Sequence, residues 1–452
     1  MQTELKENDE VILDIKRLGI NGEGIAYYKK LAVFVNGALP GEGVNVRITK
    51  VLKNMAFGEI IEFKHQSPAR ITPKCPYYEN CGGCQTLHID YEKMLEYKRD
   101  IVAESITRYT KLNPRSFEIK PTIGMDNQYN YRYKSVLPLK VIKGKTTVGL
   151  LKQGSNIIVG IDSCLNQCQE LNEINSKICE LIDECHISIY DQKTKKGALK
   201  YLAVRVSHFS HEAQVTLVCS NENVDLSKLA KKIMEIKNVV SVFKSINEEE
   251  DITFFNNLAK LEGKDTIVEA IDSYKFDLAP STFFQLNPVQ TENLYKVVKK
   301  AAKLSLKETV LDLYCGVGTI GIYLSKLAKK VIGVEVNESS IENAKENAKK
   351  NKVKNAEFYA GKVNEILPKI LREETVDVLV CDPPRVGLEE YTASLLAKSG
   401  INKIIYVSCN PATLAKDLAI LSKNYNVNSI QPVDMFSNTS AIECVATLSL
   451  RK

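Results

Sequence analysis

No run of apolar residues in this chain approaches the roughly 20 that a membrane-spanning helix needs. A helical membrane protein is therefore not expected. The start, Met1-Gln2-Thr3-Glu4-Leu5-Lys6, does not read as a secretory signal, which leads to an expected cytoplasmic location. There is no internal repeat and no low-complexity linker, so neither a solenoid nor a long flexible tether is expected. Excess charge is scarce too: 61 Lys and Arg against 55 Asp and Glu leave a net +6, too mild to imply a nucleic-acid partner by itself. Cysteine is plentiful, with twelve in the chain. In a cytosolic protein these read as ligands, catalysts or buried thiols rather than disulfides.

At 452 residues, 44% hydrophobic and 26% charged, the chain suits a soluble globular protein of two or three domains. Residues 9–63 place short apolar strands between turn signals at Gly22, Gly24, Gly37 and Pro40-Gly41. That pattern predicts a small N-terminal β-barrel of the oligonucleotide-binding kind. Residues 64–90 hold a cysteine cluster, and Tyr91, Met94, Leu95, Val102 and Ile106 predict a helix over 91–112. From about 129 to 269 β-rich and helical segments alternate, and from about 271 strand and helix follow one another regularly. The regular part predicts a doubly wound parallel sheet. The expected domains are thus 1–64, a central α+β domain at 65–270, and an α/β domain at 271–452.

Charge is unevenly spread. Residues 111–152 carry nine Lys or Arg against Glu118 and Asp126, with Tyr129, Tyr131 and Tyr133 interleaved. Lys193, Lys195, Lys196, Lys200 and Arg205 form a second acid-free stretch. Such patches suit a phosphate backbone, with aromatic rings for base stacking, although taken alone either block is more often a solvated face.

The run Thr309-Val310-Leu311-Asp312-Leu313-Tyr314 predicts a buried strand, followed by the loop Cys315-Gly316-Val317-Gly318-Thr319 and a helix. A second strand ends on Glu335. Gly316, Gly318 and Gly321 match the spacing of a dinucleotide loop, which by itself would suggest an NAD oxidoreductase. The acid on the strand, Asp312, instead suits the ammonium of S-adenosylmethionine, and Glu335 suits ribose hydroxyls. A later strand ends on Asp382-Pro383-Pro384-Arg385, an acid-Pro-Pro signature of methyltransferases. Enzymes that methylate a base amine carry an aromatic residue in the fourth place, to stack on the flipped base. Arg385 stands there, which leaves room for chemistry at carbon.

Carbon 5 of uracil is a poor nucleophile until a thiolate adds to carbon 6. An enzyme that uses this route needs one cysteine and one general base facing the same ring. Cys409 follows the strand-like run Ile404–Ser408 and precedes Asn410-Pro411, the place for an attacking group in a cofactor-binding sheet. Glu443, opening the last apolar strand, is the candidate base.

Phe283-Phe284-Gln285, Asp312 to Thr319, Asp382 to Arg385 and Ser408-Cys409-Asn410-Pro411 together make the chain resemble the RNA uridine carbon-5 methyltransferase family nearly end to end. The resemblance implies a TRAM-like barrel, a central domain with an iron–sulfur site and a catalytic methyltransferase domain. It implies that Gln285, Tyr314, Gly316, Gly318, Glu335 and Asp382 bind S-adenosylmethionine, with Cys409 as nucleophile and Glu443 as proton acceptor. Two positions depart from the family pattern: Ser437 stands where proline follows Phe436, and Ala441 where histidine precedes the base by two residues. Besides a base-amine methyltransferase, an RNA-binding protein with a decayed catalytic site is the alternative; Cys409 and Glu443 speak against the latter.

Cys75, Cys81 and Cys84 are spaced by five and then two residues, unlike a zinc knuckle. A closed cluster needs a fourth thiolate, for which the spacing leaves Cys164 and Cys168 open. The family pattern implies Cys164 and a four-iron (4Fe-4S) cluster. Cys179, Cys185, Cys219, Cys315, Cys381 and Cys444 are expected to be packed thiols. The barrel and the cluster cysteines point toward the branch that acts on 23S ribosomal RNA, unassembled or partly assembled, with transfer RNA as the alternative. No obligate protein partner and no membrane are implied.

Overall fold

The computed structural model describes residues 5–113, 115–247 and 257–452. Its N-terminal sheet has six strands in the order Glu10–Asp14, Gly43–Leu52, Met55–His65, Leu31–Val35, Gly24–Tyr28, Arg17–Leu18. The segment 10–18 touches both edges: Glu10–Asp14 pairs with Gly43–Arg47, while the Lys16 N–H donates to Ile25 O and Arg17–Leu18 pairs with Gly24–Ile25. One continuous stretch therefore closes the sheet into a barrel. Leu13, Ile15, Ala26, Val33, Val35, Val44, Val46 and Ile48 fill its interior. At its base Glu42, fully buried, takes a two-pronged bond from Arg70 at 2.6 and 2.8 Å and accepts the Leu39 and Ser67 N–H groups.

The central unit is a seven-stranded sheet whose edge strands are Ile158–Gly160 and Ala259–Gly263, covered by the helices Gln169–Glu184 and Ser227–Met234.

The third unit is an eight-stranded sheet in the order Ala356–Ala360, Lys330–Glu335, Thr309–Leu313, Val378–Cys381, Lys403–Ser408, Glu443–Leu450, Tyr425–Val433, Glu118–Ile119. The first five are mutually parallel, and Glu443–Leu450 runs antiparallel to both neighbours. Strand order reverses between Thr309–Leu313 and Val378–Cys381, which opens a crevice at their carboxyl ends. Helices cover both faces, so the strands read as unbroken apolar runs.

Helix Tyr91–Tyr109 packs on this third sheet through Met94, Ile101, Val102 and Ile106. It stops short of the expected 112, because Thr110 adopts an extended backbone (φ −128°, ψ 169°). Among the described residues no helix is long and apolar enough to cross a membrane.

Candidate active site

Pleat parity decides which side chains meet. Val310, Val378, Val380, Ile405, Val407 and Val445 lie on one face of the sheet, and Leu311, Leu313, Leu379, Cys381, Ile404, Tyr406 and Cys444 on the other. Asp312, Asp382, Cys409 and Glu443 therefore all belong to the first face, at or just past the ends of their strands. The ladder sets the last two side by side, since Ser408 pairs with Cys444 and the next residue on each strand follows in step.

The loop after Leu313 wraps tightly. Tyr314 takes a left-handed backbone (φ 63°), as do Gly316 (φ 53°) and Gly318 (φ 80°). At Gly318 a Cβ would come within 3.0 Å of the Phe358 ring, so glycine is required there by space as well as by conformation. The buried Asp312 accepts the Gly321 N–H at 2.8 Å, and its other oxygen has no partner among the described residues. Burial, with Asp382 and Glu335 nearby, pushes Asp312 up to about 8, although the Gly321 bond opposes the shift. Glu335 accepts the Gly316 N–H at 3.3 Å and the Asn337 N–H at 3.0 Å, which holds the second strand end against the loop. The orphaned acceptor and the glycine-lined cradle fit a cationic amino-acid group and a ribose.

Deeper in the crevice, burial raises Asp382 to about 7. Burial, then Glu443 and Asp382, push the Cys409 thiol up to about 11, while Arg385 pulls the other way. Glu443 is buried, and desolvation followed by Asp382 holds it well above the usual carboxylate range, again against Arg385. Arg385 thus supplies positive charge to both. Its carbonyl is fixed by the Asn410 side chain at 3.2 Å and by the Thr413 hydroxyl at 3.3 Å.

Gln285 lies half-buried in the loop that precedes helix Pro288–Ala302. That loop is docked by central-unit residues. Arg205, buried, donates to Thr282 O at 2.6 Å and to Ala279 O at 3.3 Å, and the Tyr133 N–H donates to Leu286 O at 2.9 Å. Arg205 is therefore not part of an exposed basic face as expected. Tyr131 differs in the same way: it is buried, and its hydroxyl donates to Ser437 O at 3.0 Å, so its ring is not open to stack on a base. Both have polar tips that hold a loop of the neighbouring unit.

The residues just before Glu443 are held by a group that sequence reading missed. Lys98 is fully buried and donates to Asp434 Oδ1 at 2.6 Å, Ala441 O at 2.8 Å and Phe436 O at 3.2 Å. The Tyr91 hydroxyl bonds the other Asp434 oxygen at 2.8 Å. Lys98 stands on the same helical face as Met94, Ile101 and Val102. A lysine within an apolar stripe was the available signal.

Cys75, Cys81, Cys84 and Cys164 line one cavity of the central unit, with Arg132 and Asn166. Cys168 does not line it; it is buried in the helix–sheet core at the start of helix Gln169–Glu184. The Asn166 amide donates to Cys84 Sγ at 3.2 Å and the Gly83 N–H to Cys81 Sγ at 3.4 Å. Burial, then Cys164, pushes Cys84 up to about 12. Among the described residues no three His, Cys, Asp or Glu side chains converge on a point where one metal ion would sit.

The tRNA (uracil-5-)-methyltransferase family profile matches residues 91–451, and the TRAM domain profile matches residues 4–61. An uncharacterized RNA methyltransferase of Halalkalibacterium halodurans is 41% identical over 451 residues, covering 98% of this chain and 97% of its own. One from Enterococcus faecalis is 39% identical over 449 residues, covering 98% of each. The tRNA (uracil-54, C5)-methyltransferase of Pyrococcus abyssi, solved with S-adenosyl-L-homocysteine, is 28% identical and covers 97% of this chain and 100% of that one, with a TM-score of 0.77.

Proposed function

The chain belongs to the tRNA (uracil-5-)-methyltransferase family and is an S-adenosylmethionine-dependent RNA uracil-C5 methyltransferase, and on that premise we propose how its crevice works and on which RNA. The single observation that carries the mechanism is the proximity of Cys409 and Glu443, each one residue past the Ser408–Cys444 pair that ends an antiparallel ladder, beside Asp382 and Arg385. The Cys409 thiolate adds to carbon 6 of the uracil, and the displaced π electrons move toward the carbon-4 oxygen. Carbon 5 then takes the methyl group of the sulfonium, and the broken C–S bond leaves its electron pair on a neutral thioether. Glu443 removes the carbon-5 proton. The electrons of that C–H bond restore the 5,6 double bond and expel the Cys409 thiolate.

Gln285, Tyr314, Gly316, Gly318, Glu335 and Asp382 make up the methyl-donor side of the crevice. Asp312 holds the loop through the Gly321 N–H, and its oxygen without a partner among the described residues is the acceptor for the cationic amino-acid group. The division into 1–64, 65–270 and 271–452 is kept as an assignment, with helix Tyr91–Tyr109 crossing over to the catalytic sheet. Cys75, Cys81, Cys84 and Cys164 would hold a 4Fe-4S cluster. Four thiols around one cavity supply the ligand number that such a cluster takes. Methyl transfer needs no electron, so a cluster held by these four thiols would serve there as structure. The substrate is assigned as 23S ribosomal RNA in the cytoplasm, on the combination of barrel and four-thiol site. The likeness to the P. abyssi enzyme favours transfer RNA as the second reading.

Two variants test the chemistry on a denaturing gel with labelled methyl donor. Cys409→Ala should give neither methylation nor a covalent complex. Glu443→Gln should accumulate a denaturant-stable complex whose RNA is already methylated. Normal turnover by Glu443→Gln would remove that residue as the base. Mapping 5-methyluridine in ribosomal and transfer RNA of a deletion strain decides between the two substrates.

A further inference from the structure

The loop that delivers Glu443 is tied to the four-thiol cavity at one residue, Asn438. Its side-chain amide donates to Asn166 Oδ1 at 2.9 Å and to Gln128 O at 3.0 Å. Asn166 uses its own amide to donate to Cys84 Sγ at 3.2 Å. A second path leaves the same cysteine along the chain: two residues on, the Thr86 N–H donates to Asn438 O at 3.2 Å. Both asparagines are buried, 5% and 4% exposed, so these bonds form away from competing water. Asn438 also sits in the left-handed region (φ 63°), a conformation that its surroundings must hold in place for a residue other than glycine. The barrel reaches the same spot, since a Cβ on Gly22 would lie 3.1 Å from Gln85 and 3.5 Å from Ser440.

We propose that Asn166 and Asn438 are positioning residues that brace the Glu443 loop against the four-thiol site, so that disturbing that site displaces the base and leaves methyl-donor binding intact. The proposal rests on the reading of Glu443 given above. Lys98 holds Phe436 and Ala441 from the helix side, and Asn438 lies between those two points. The loop is thus clamped on one side by a lysine of the helix that packs on the catalytic sheet and on the other by residues around the four-thiol cavity. Ser437 belongs to the same brace: its hydroxyl donates to Gln128 O at 2.5 Å.

Two full-length variants, purified anaerobically, test this. Asn438→Gly keeps the left-handed backbone and removes only the side-chain link. Asn166→Ala removes both the link and the bond to Cys84. Hydrogen exchange over residues 434–441 should be on the order of tenfold faster in both, as expected for loss of a buried hydrogen bond. Calorimetric affinity for S-adenosylmethionine should not change, and the iron content of Asn438→Gly should equal that of the wild type. Both variants should accumulate methylated covalent complex, because the proton-removal step is the one that slows. Metal-stripped wild-type protein should show the same faster exchange over 434–441. Unchanged exchange over 434–441 in Asn438→Gly overturns the brace, even if Asn166→Ala fails to fold. Unchanged exchange in the stripped protein overturns the link to the thiol site. A loosened loop without covalent complex, where Glu443→Gln does accumulate it, overturns the positioning role. If Glu443→Gln also fails to accumulate complex, the reading of the base falls, while the exchange measurement still judges the brace.

Discussion

Cys409 and Glu443 face each other one step beyond the last paired residues of two antiparallel strands, Ser408 and Cys444. Opposed positions on an antiparallel pair hold their side chains on one face, with Cβ atoms about 4.5–5.5 Å apart in regular ladders. Both groups are shifted upward: Cys409 by burial and then by the Glu443 and Asp382 carboxylates, Glu443 by burial and then by Asp382. A positive charge entering the crevice would oppose both shifts, as Arg385 already does.

That charge has a measurable consequence. The free protein holds Cys409 at about 11, mainly through burial. Its alkylation by iodoacetamide, followed by peptide mass mapping, should climb about tenfold per pH unit through pH 9, as the thiolate fraction does below a pKa. Saturating S-adenosylmethionine should move the midpoint downward because its sulfonium is cationic. S-adenosylhomocysteine, with a neutral sulfur, should leave it in place. A midpoint below pH 8 without ligand would contradict the assignment.

Glu335 bonds the Gly316 and Asn337 N–H groups and retains lone pairs for ribose hydroxyls. Glu335→Ala should weaken S-adenosylmethionine binding by about 1.5–3 kcal/mol, the range for hydrogen bonds to a charged group. RNA affinity should stay level. Calorimetry that finds cofactor affinity intact would take this residue out of the site.

Cys164 lines the thiol cavity and Cys168 does not. Anaerobically prepared protein should be brown, with about four irons per chain. Cys164→Ser should lose the colour and the iron, and Cys168→Ser should keep both. The reverse pattern would hand the fourth ligand to Cys168.

Glu42 and Arg70 join the barrel to the chain that follows it. Burial raises the Glu42 pKa, but the bonds from Arg70, Leu39 and Ser67 outweigh it, and the net value lies below the usual one. A folded-state pKa below the unfolded value contributes stability that is present above the unfolded value and is lost as pH falls through the folded one. Arg70→Met leaves a buried carboxylate without its partner and should cost about 3–5 kcal/mol at pH 7. In that variant the sign reverses: Glu42 would then prefer to be protonated, so the deficit should shrink on acidification. Urea melts of both proteins at pH 7 and pH 4.5 measure it, and a deficit that grows at the lower pH would refute the role given to the ion pair.

Local pattern was sufficient to find the crevice. Parallel strands covered on both faces read as unbroken apolar runs, and Asp312, Glu335, Asp382 and Cys409 each lie at or just after such a run. The helix from Tyr91 was legible from its 3.6-residue spacing, and the barrel strands from their glycine punctuation. The sequence by itself therefore determined the fold class, the strand ends where chemistry is placed, and the residue types that stand there.

Tertiary structure alone decided what each polar side chain does when its partner is far away in the chain. Lys98 and Asp434 are 336 positions apart, Asn166 and Asn438 are 272 apart, and Tyr131 bonds a carbonyl 306 positions away. Periodicity reports which face of its own element a residue occupies, and it carries no information on what arrives at that face. Arg205 and Tyr131 looked like parts of a nucleic-acid surface because neighbouring residues are basic, yet burial turned both toward loops of the adjoining unit. The separation of Cys164 from Cys168 has the same origin. They are four residues apart in one stretch of chain, and the start of helix Gln169–Glu184 places one at the cavity and the other in the core.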